Sequence, residues 1–256
     1  MLIVEMSVAL RWTEVLVGLA VAQGTLELLA VRRAVADDGT WRWSTLAPEL
    51  GWLRAALAYR PFVGLLTLRL AAALALVAGF HGVIAPVLWV SSLLVNVRFR
   101  GTTNGGSDMM IMVVLTAVMV AHAGAAHDVV VRGALLYIAA QAFMSYFVAG
   151  VAKLARRSWR DGSALGSFVA TPHFAVPDLL RRALGSTERL LVASWAVIVF
   201  ECSVLLSLTS PVASAAYVAV ALGFHVANAW AFGLNRFVLA WAATWPALLY
   251  ASTLMA

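Results

Sequence analysis

The chain has 256 residues, of which 63% are apolar and 12% charged, with a formal net charge of +6. Soluble domains carry about 25% charged residues, so the composition excludes a soluble globular domain and indicates an integral membrane protein whose solvent is lipid. The basic residues fall between hydrophobic runs, as membrane topology requires, so the surplus does not indicate nucleic acid, and a single cysteine, Cys202, excludes an intramolecular disulfide.

A bilayer crossing needs roughly 17–25 mainly apolar residues. In chain order, hydropathy predicts spans over 12–31, 61–80, 83–99, 109–126, 131–154, 190–209, 212–231 and 234–254. This is an all-α integral membrane protein, a bundle of about eight transmembrane helices in a single domain over 1–256. Met1–Leu10 lacks a basic n-region, and the first apolar stretch carries Glu14, Gln23 and Glu27, so no cleavable signal peptide is expected. Two longer connections, 32–60 and 155–189, separate the spans, and Ser163–Phe174 is apolar enough to dip into the membrane or lie along it. Fifteen basic residues, from Arg32 to Arg236, fall in connections one, three, five and seven, against Arg11 and Arg132 on the opposite side. That bias predicts both termini outside and the Lys153 end of the fifth span in the cytoplasm.

Charges near the bilayer centre cost at least ~2.5–3.5 kcal/mol on insertion scales, so they face a cavity or a partner. Arg69 lies mid-span in the second predicted helix and Glu201 mid-span in the sixth. They are expected either to pair with each other or to serve a site. Glu14 and Glu27 lie nearer span ends, where water reaches them. The connection from Asn96 to Asp108 is glycine-rich but lacks the strand-before-helix setting of a nucleotide loop. Asp108 is expected to cap a helix starting near Met109. His81, His122, His127 and His173 sit near predicted span ends and read as solvated. Metal-ligand spacing is absent, and no metal is expected.

Lys153 is the only lysine in a chain with 17 arginines. Arginine is effectively never neutral, whereas a desolvated lysine can lose its proton. At its helix end, Lys153 reads either as a cation reaching for the headgroups or as an amine serving as a general base. Tyr146, Gly150 and Lys153 are four and three residues apart and share a helix face. Ala149 and Gly150 beside them admit either a neighbouring helix or a flat ligand. In the seventh span, His225 and Asn228 are three apart and can orient a carbonyl or phenol, or bond a neighbouring helix.

Three blocks carry a family resemblance. The first is Gln141 to Leu165, with Tyr146-Phe147-x-Ala149-Gly150-Val151-x-Lys153-Leu154, then Trp159 and Gly162. The second is Phe224-His225-x-x-Asn228, followed by Phe232-Gly233-Leu234 and Phe237. The third, weaker block is Asn104 to Asp108 ahead of a helix. From about residue 95 onward the chain resembles the vitamin K-dependent gamma-carboxylase family and its bacterial relatives, the horizontally transferred transmembrane (HTTM) domain proteins.

The resemblance implies that Lys153 deprotonates a reduced naphthoquinone. The quinone reacts with O2, becomes an epoxide and generates a strong base that removes a glutamate proton, and CO2 adds. His225 and Asn228 would then orient quinone oxygens, and Glu201 or Arg69 would tune the amine. Tyr146, Gly150, Trp159, Asn104, Asp108 and Arg69 would bound the cofactor site. The chain departs from the family at Ala152, where the carboxylase has a second lysine, and at Gly105, where it has a histidine. It also lacks the C-terminal β-rich lumenal region, and the carboxylase site faces the non-cytoplasmic side. The implied function is lysine-base chemistry on a reduced quinone or isoprenoid lipid, by epoxidation, coupled carboxylation or both, with a small peptide as a further substrate. Two alternatives stand beside it. One is a non-catalytic maturation or export factor for a sporulation-delay-type peptide toxin. The other is acid-initiated isoprenoid cyclisation on Glu201 or Asp108. The expected setting is the lipid bilayer of a bacterial cytoplasmic membrane, with no nucleic-acid partner.

Overall fold

The computed structural model describes residues 4–46, 48–101, 105–172, 174 and 176–255. It is almost wholly helical, with no strand among the described residues. The principal helices are α1 (Met6–Ala30), α2 (Tyr59–Ala78), α3 (Ile84–Arg98), α4 (Gly106–Ala123) and α5 (Asp128–Ala155). They are followed by α6 (Thr187–Cys202), α7 (Pro211–Phe232), α8 (Asn235–Ala242) and α9 (Trp245–Thr253). A 3-10 segment, Ser203–Leu208, prolongs α6. Among the described residues, six helices are long and apolar enough to cross a membrane: α1, α2, α4, α5, α6 with its 3-10 extension, and α7. The chain is a multi-pass integral membrane protein.

The expected eight spans differ from this in two places. The predicted span 83–99 is a helix of 15 residues, roughly 22 Å long at 1.5 Å per residue, against a hydrocarbon core of about 30 Å. The predicted span 234–254 is divided into α8 and α9. Pro246 in the first turn of α9 lacks the N–H that would bond back to Ala242, and its ring crowds that carbonyl, so the helix restarts. Helix α4 also begins earlier than expected, at Gly106, which puts Asp108 in its first turn rather than at its cap. An acid there still complements the helix dipole.

The chain packs as two compact units, one built on Met6–Ala134 with Leu239–Ala243, the other on Leu135–Val238 with Thr244–Ala256. In the N-terminal unit α1 lies along α2. Gly18 permits this approach, because a Cβ there would stand 2.8 Å from Val77 Cγ2 and 3.0 Å from the carbonyl oxygen of Ala73. Helix α2 buries Phe62, Leu66, Arg69, Ala72, Ala73 and Leu76. These steps of three and four keep one stripe inward. Of the two mid-span charges expected to pair or to serve a site, Glu201 accepts from Lys153. Arg69 donates to Thr25 Oγ1 at 2.7 Å and Ser92 Oγ at 3.1 Å, joining α1, α2 and α3. Two hydroxyls thus accept from the guanidinium's terminal nitrogens.

Arg98, fully buried at the end of α3, donates to the carbonyls of Leu57 at 3.1 Å and Trp41 at 2.8 Å. Its guanidinium also lies 5.5–5.7 Å from the ring centroids of Trp43, Phe62 and Phe99. It thereby ties the connection after α1 to the core of Leu28, Val35, Leu57, Leu66 and Val95.

In the C-terminal unit, Ser186 caps α6 by accepting from the Arg189 N–H, and Ser210 caps α7 by accepting from Ala213 N–H, with Pro211 following. Helix α7 packs against the 3-10 segment and α9. The connection after α5 holds two short helices, Arg157–Arg160 and Ser163–Ala170, against α6. Gly162, in the left-handed region at φ 81°, allows this contact, since a Cβ there would meet the Leu191 backbone nitrogen at 2.8 Å. Asp161, ahead of the second short helix, accepts from the Ser163 N–H at 3.0 Å and hydroxyl at 2.7 Å. These bonds hold its carboxyl below the usual carboxylate range.

Candidate functional site

Helix α5 is 28 residues long, roughly 42 Å, which exceeds the hydrocarbon core by about 12 Å. Its last turn carries Lys153. The Nζ donates to both oxygens of Glu201, at 2.8 and 2.6 Å, and lies 5.2 Å from the centroid of the Trp159 ring. The carboxylate is nearly buried in the last turn of α6, while the amine keeps some exposure. Lys153 is therefore part of a two-point charge pair capped by an indole, not a lone cation reaching for headgroups. Such pairs combine Coulombic attraction with directed hydrogen bonds, and an ammonium over an indole face is a cation–π contact.

One turn before Lys153, Gly150 makes this pairing possible. A Cβ at Gly150 would stand 2.8 Å from Cys202 Sγ, 2.9 Å from the Cys202 backbone nitrogen and 3.0 Å from Glu201 Cβ. Of the two readings of Gly150, the neighbouring helix occupies the space.

One turn further on, Tyr146 is buried, and its hydroxyl lies 2.8 Å from His225 Nε2 and 3.5 Å from Trp245 Nε1. Its ring meets Phe200 and Tyr217 edge-on at 5.7 and 5.5 Å. Phe200 in turn stacks on Tyr217 at 5.2 Å. Helix α7 turns Ser214, Tyr217, Ala221 and His225 inward at steps of three and four. The hydroxyls of Ser214 and Tyr217 are buried without a hydrogen-bond partner among the described residues. Asn228, one turn beyond His225, is half-buried.

The C-terminal unit thus holds two polar pairs on one face of α5, Lys153–Glu201 and Tyr146–His225. Seven residues, roughly 10 Å along the axis, separate them. Of the residues singled out in the sequence, Lys153, Glu201 and Trp159 meet in one cluster, and Tyr146 meets His225 in the other. Arg69 and Asp108 belong to the N-terminal unit, and Asn104 lies outside the described residues. Sequence reasoning missed Phe200, Tyr217 and Trp245, which wall the Tyr146 cluster. The inward stripe of α7 was the available signal for Tyr217. It also missed a cluster in the N-terminal unit, where Glu14, His81 and His122 converge. The start of the first span, the end of the second and the end of the fourth all lie on one side of an alternating topology, so that convergence was readable.

A model of the HTTM domain matches residues 111–252, more than half of the chain. The matched region includes every residue of the two pairs. No curated protein and no solved structure matches the chain.

Proposed function

The chain belongs to the HTTM domain family, and on that footing we propose that it is a membrane enzyme using Lys153 as a base on a reduced quinone or isoprenoid lipid, in the manner of the vitamin K-dependent carboxylases. The observation that carries this reading is the sole lysine, held by both oxygens of a nearly buried glutamate beneath an indole face. At 2.6 Å, a proton can pass from Nζ to Oε2 without solvent. That leaves a neutral amine beside a carboxylic acid. In this form Lys153 can accept a proton from a ligand, and Glu201 serves as the group that stores and returns one.

A reduced naphthoquinone is a flat apolar ring system bearing two oxygens. The buried, unpartnered Tyr217 hydroxyl supplies a hydrogen-bonding group that lacks a mate. The rings of Tyr146, Phe200 and Tyr217 suit a flat apolar body. The unpartnered hydroxyl and the surrounding rings support this reading. Tyr217, Tyr146 and His225 would hold its ring and one oxygen, with Asn228 able to add a further hydrogen bond. Lys153 and Glu201 would handle its proton. Once bound, the quinone supplies the reducing electrons that activate O2, with CO2 as the co-substrate of any coupled carboxylation.

The test is turnover of a reduced naphthoquinone by purified protein in oxygenated detergent micelles, with the epoxide read by mass spectrometry. Wild type forms epoxide. Lys153→Ala loses at least about 100-fold, the lower range for removing a positioned base. Lys153→Arg keeps the charge pair but not a removable proton, and loses as much. Full activity in Lys153→Arg would sink the base role. A second reading has its own support. The two-point pair beside the Gly150 contact is also what a pin between helices needs, and a non-catalytic peptide-toxin maturation or export factor needs nothing more of it.

A further inference from the structure

We propose that the N-terminal unit contains a binding site for a divalent transition-metal ion of the zinc class, formed by Glu14 of α1, His81 of the α2–α3 turn and His122 of α4. The side-chain donor atoms of these three residues lie within 4.8 Å of one another. His122 Nε2 stands 2.8 Å from Glu14 Oε1, and His81 Nδ1 stands 3.8 Å from Glu14 Oε2. The two imidazoles lie beside each other, with centroids 4.6 Å apart and planes 31° apart.

Three observations distinguish this arrangement from a hydrogen-bonded trio. First, although His122 Nε2 is close to Oε1, the ring N–H axis does not line up with that oxygen, and this buried nitrogen has no hydrogen-bond partner among the described residues. Second, the 3.8 Å between His81 and Oε2 is too long for a hydrogen bond. It suits two ligands of one ion. Zinc–nitrogen and zinc–oxygen bonds of about 2.0–2.2 Å put tetrahedral donor atoms roughly 3.3 Å apart. The three donor atoms lie within 4.8 Å of one another, so closing them by up to about 1.5 Å would seat the ion. Third, the carboxylate is already oriented from behind. Arg11 donates to Glu14 Oε2 at 3.1 Å. The same guanidinium is anchored by the carbonyls of Leu76, at 2.9 Å, and Val77 at the end of α2. Metal ligands are held in this way by outer hydrogen bonds that fix their direction. With its charge partly engaged by those carbonyls, Arg11 leaves Oε1 free to serve as a ligand.

The backbone supports the same arrangement. Gly79 ends α2 in the left-handed region at φ 95°, and Gly82 takes φ 67°. His81 is thus carried on a turn bracketed by two residues that L side chains could not easily replace. Glu14 is nearly buried, whereas the His81 side chain is 42% exposed. Two imidazoles and one carboxylate leave an open position on that exposed side, the pattern of zinc sites that keep an exchangeable water. Imidazole donors select zinc, copper, iron or nickel over magnesium and calcium. The cluster draws its ligands from three separate elements, so no local spacing in the sequence registers it.

The experiment uses full-length protein in detergent with any polyhistidine tag removed, since a tag would bind the probe. The protein is stripped with a chelator and titrated with Zn2+ against a chromophoric competitor. Co2+ is then added separately for its visible absorption bands. One Zn2+ per chain is expected, with a higher thermal unfolding midpoint in its presence. His122→Ala and His81→Ala should each weaken binding by at least about 100-fold, the upper range for loss of even an outer-shell partner. His81 is partly exposed, so its alanine variant remains decisive if the His122 variant does not fold. Absence of stoichiometric Zn2+ uptake by wild type overturns the site. Uptake unchanged in the His81→Ala protein does so as well.

Discussion

At the scale of single residues, Gly150 shows how two opposed effects decide a sign. Glycine inside a helix is about 1 kcal/mol less favourable than alanine, so Gly150→Ala should stabilise α5 taken alone. Against that, the added methyl would lie within 3.0 Å of Cys202 Sγ, the Cys202 nitrogen and Glu201 Cβ. One of these is backbone and cannot swing aside. Overpacking of this kind costs about 1–3 kcal/mol, which exceeds the propensity gain. Gly150→Ala is therefore expected to lower unfolding stability in mixed micelles, where Ala149→Gly, its neighbour, loses only propensity. A stability gain on Gly150→Ala would refute the close helix contact. The same residues mark what was legible. Lys153 stands out because the chain otherwise uses arginine, and Tyr146 and Gly150 follow from their spacing. Glu201 was visible as a mid-span acid but its partner was not, because hydropathy gives helix ends and not which neighbours meet. The pairing depends on the contact between α5 and α6 at Gly150, a tertiary fact.

At the scale of elements, the connection between α1 and α2 is held by Arg98 more than by its own helicity. Its regular pieces run from four to six residues, such as Trp43–Leu46, Pro48–Leu53 and Arg54–Leu57, and isolated segments that short are unstable. Arg98 bonds the carbonyls of Leu57 and Trp41 from the end of α3. Hydrogen bonds to a charged group contribute about 1.5–3 kcal/mol each. Arg98→Met should thus lower stability by roughly 3 kcal/mol. In hydrogen–deuterium exchange, residues 32–57 should lose protection well before α1 or α2. Uniform loss across the N-terminal unit would show instead that Arg98 supports the whole unit. The long spans were readable because each is predominantly apolar over a length that crosses a bilayer. The break between α8 and α9 was harder to see. Residues 237–251 are almost wholly apolar, and Pro246 is the signal within that run that one helix cannot continue.

At the scale of the whole molecule, helices α2 and α6 present Leu68, Leu74, Val192 and Val199 outward. In water these would form aggregating patches, whereas in a bilayer they face lipid chains. Membrane sidedness then turns on the 15-residue helix α3. If α3 crosses, the basic residues gather on one side, with only Arg11 and Arg132 opposite. If it does not, Lys153 through Arg189 move to the side opposite Arg32, Arg33, Arg42, Arg54 and Arg60, and the asymmetry is lost. The positive-inside tendency favours crossing, with local thinning of the bilayer around a short helix. In a Cys202→Ser background, Asp38→Cys and Arg157→Cys should both resist a membrane-impermeant maleimide in intact cells, and Ala126→Cys should react. Labelling of Arg157→Cys with Asp38→Cys still protected would mean that α3 turns back within the membrane.

The sulfur of Cys202 lies where Gly150 has no room even for a methyl group. Any adduct on this thiol, from sulfenic oxidation to alkylation, adds volume at the junction of α5 and α6, one turn from Lys153. Thiol reagents are therefore not neutral labels for the wild-type chain. They act as wedges, and the lone cysteine couples the electrophile load of the membrane to the spacing on which the lysine–glutamate pair depends.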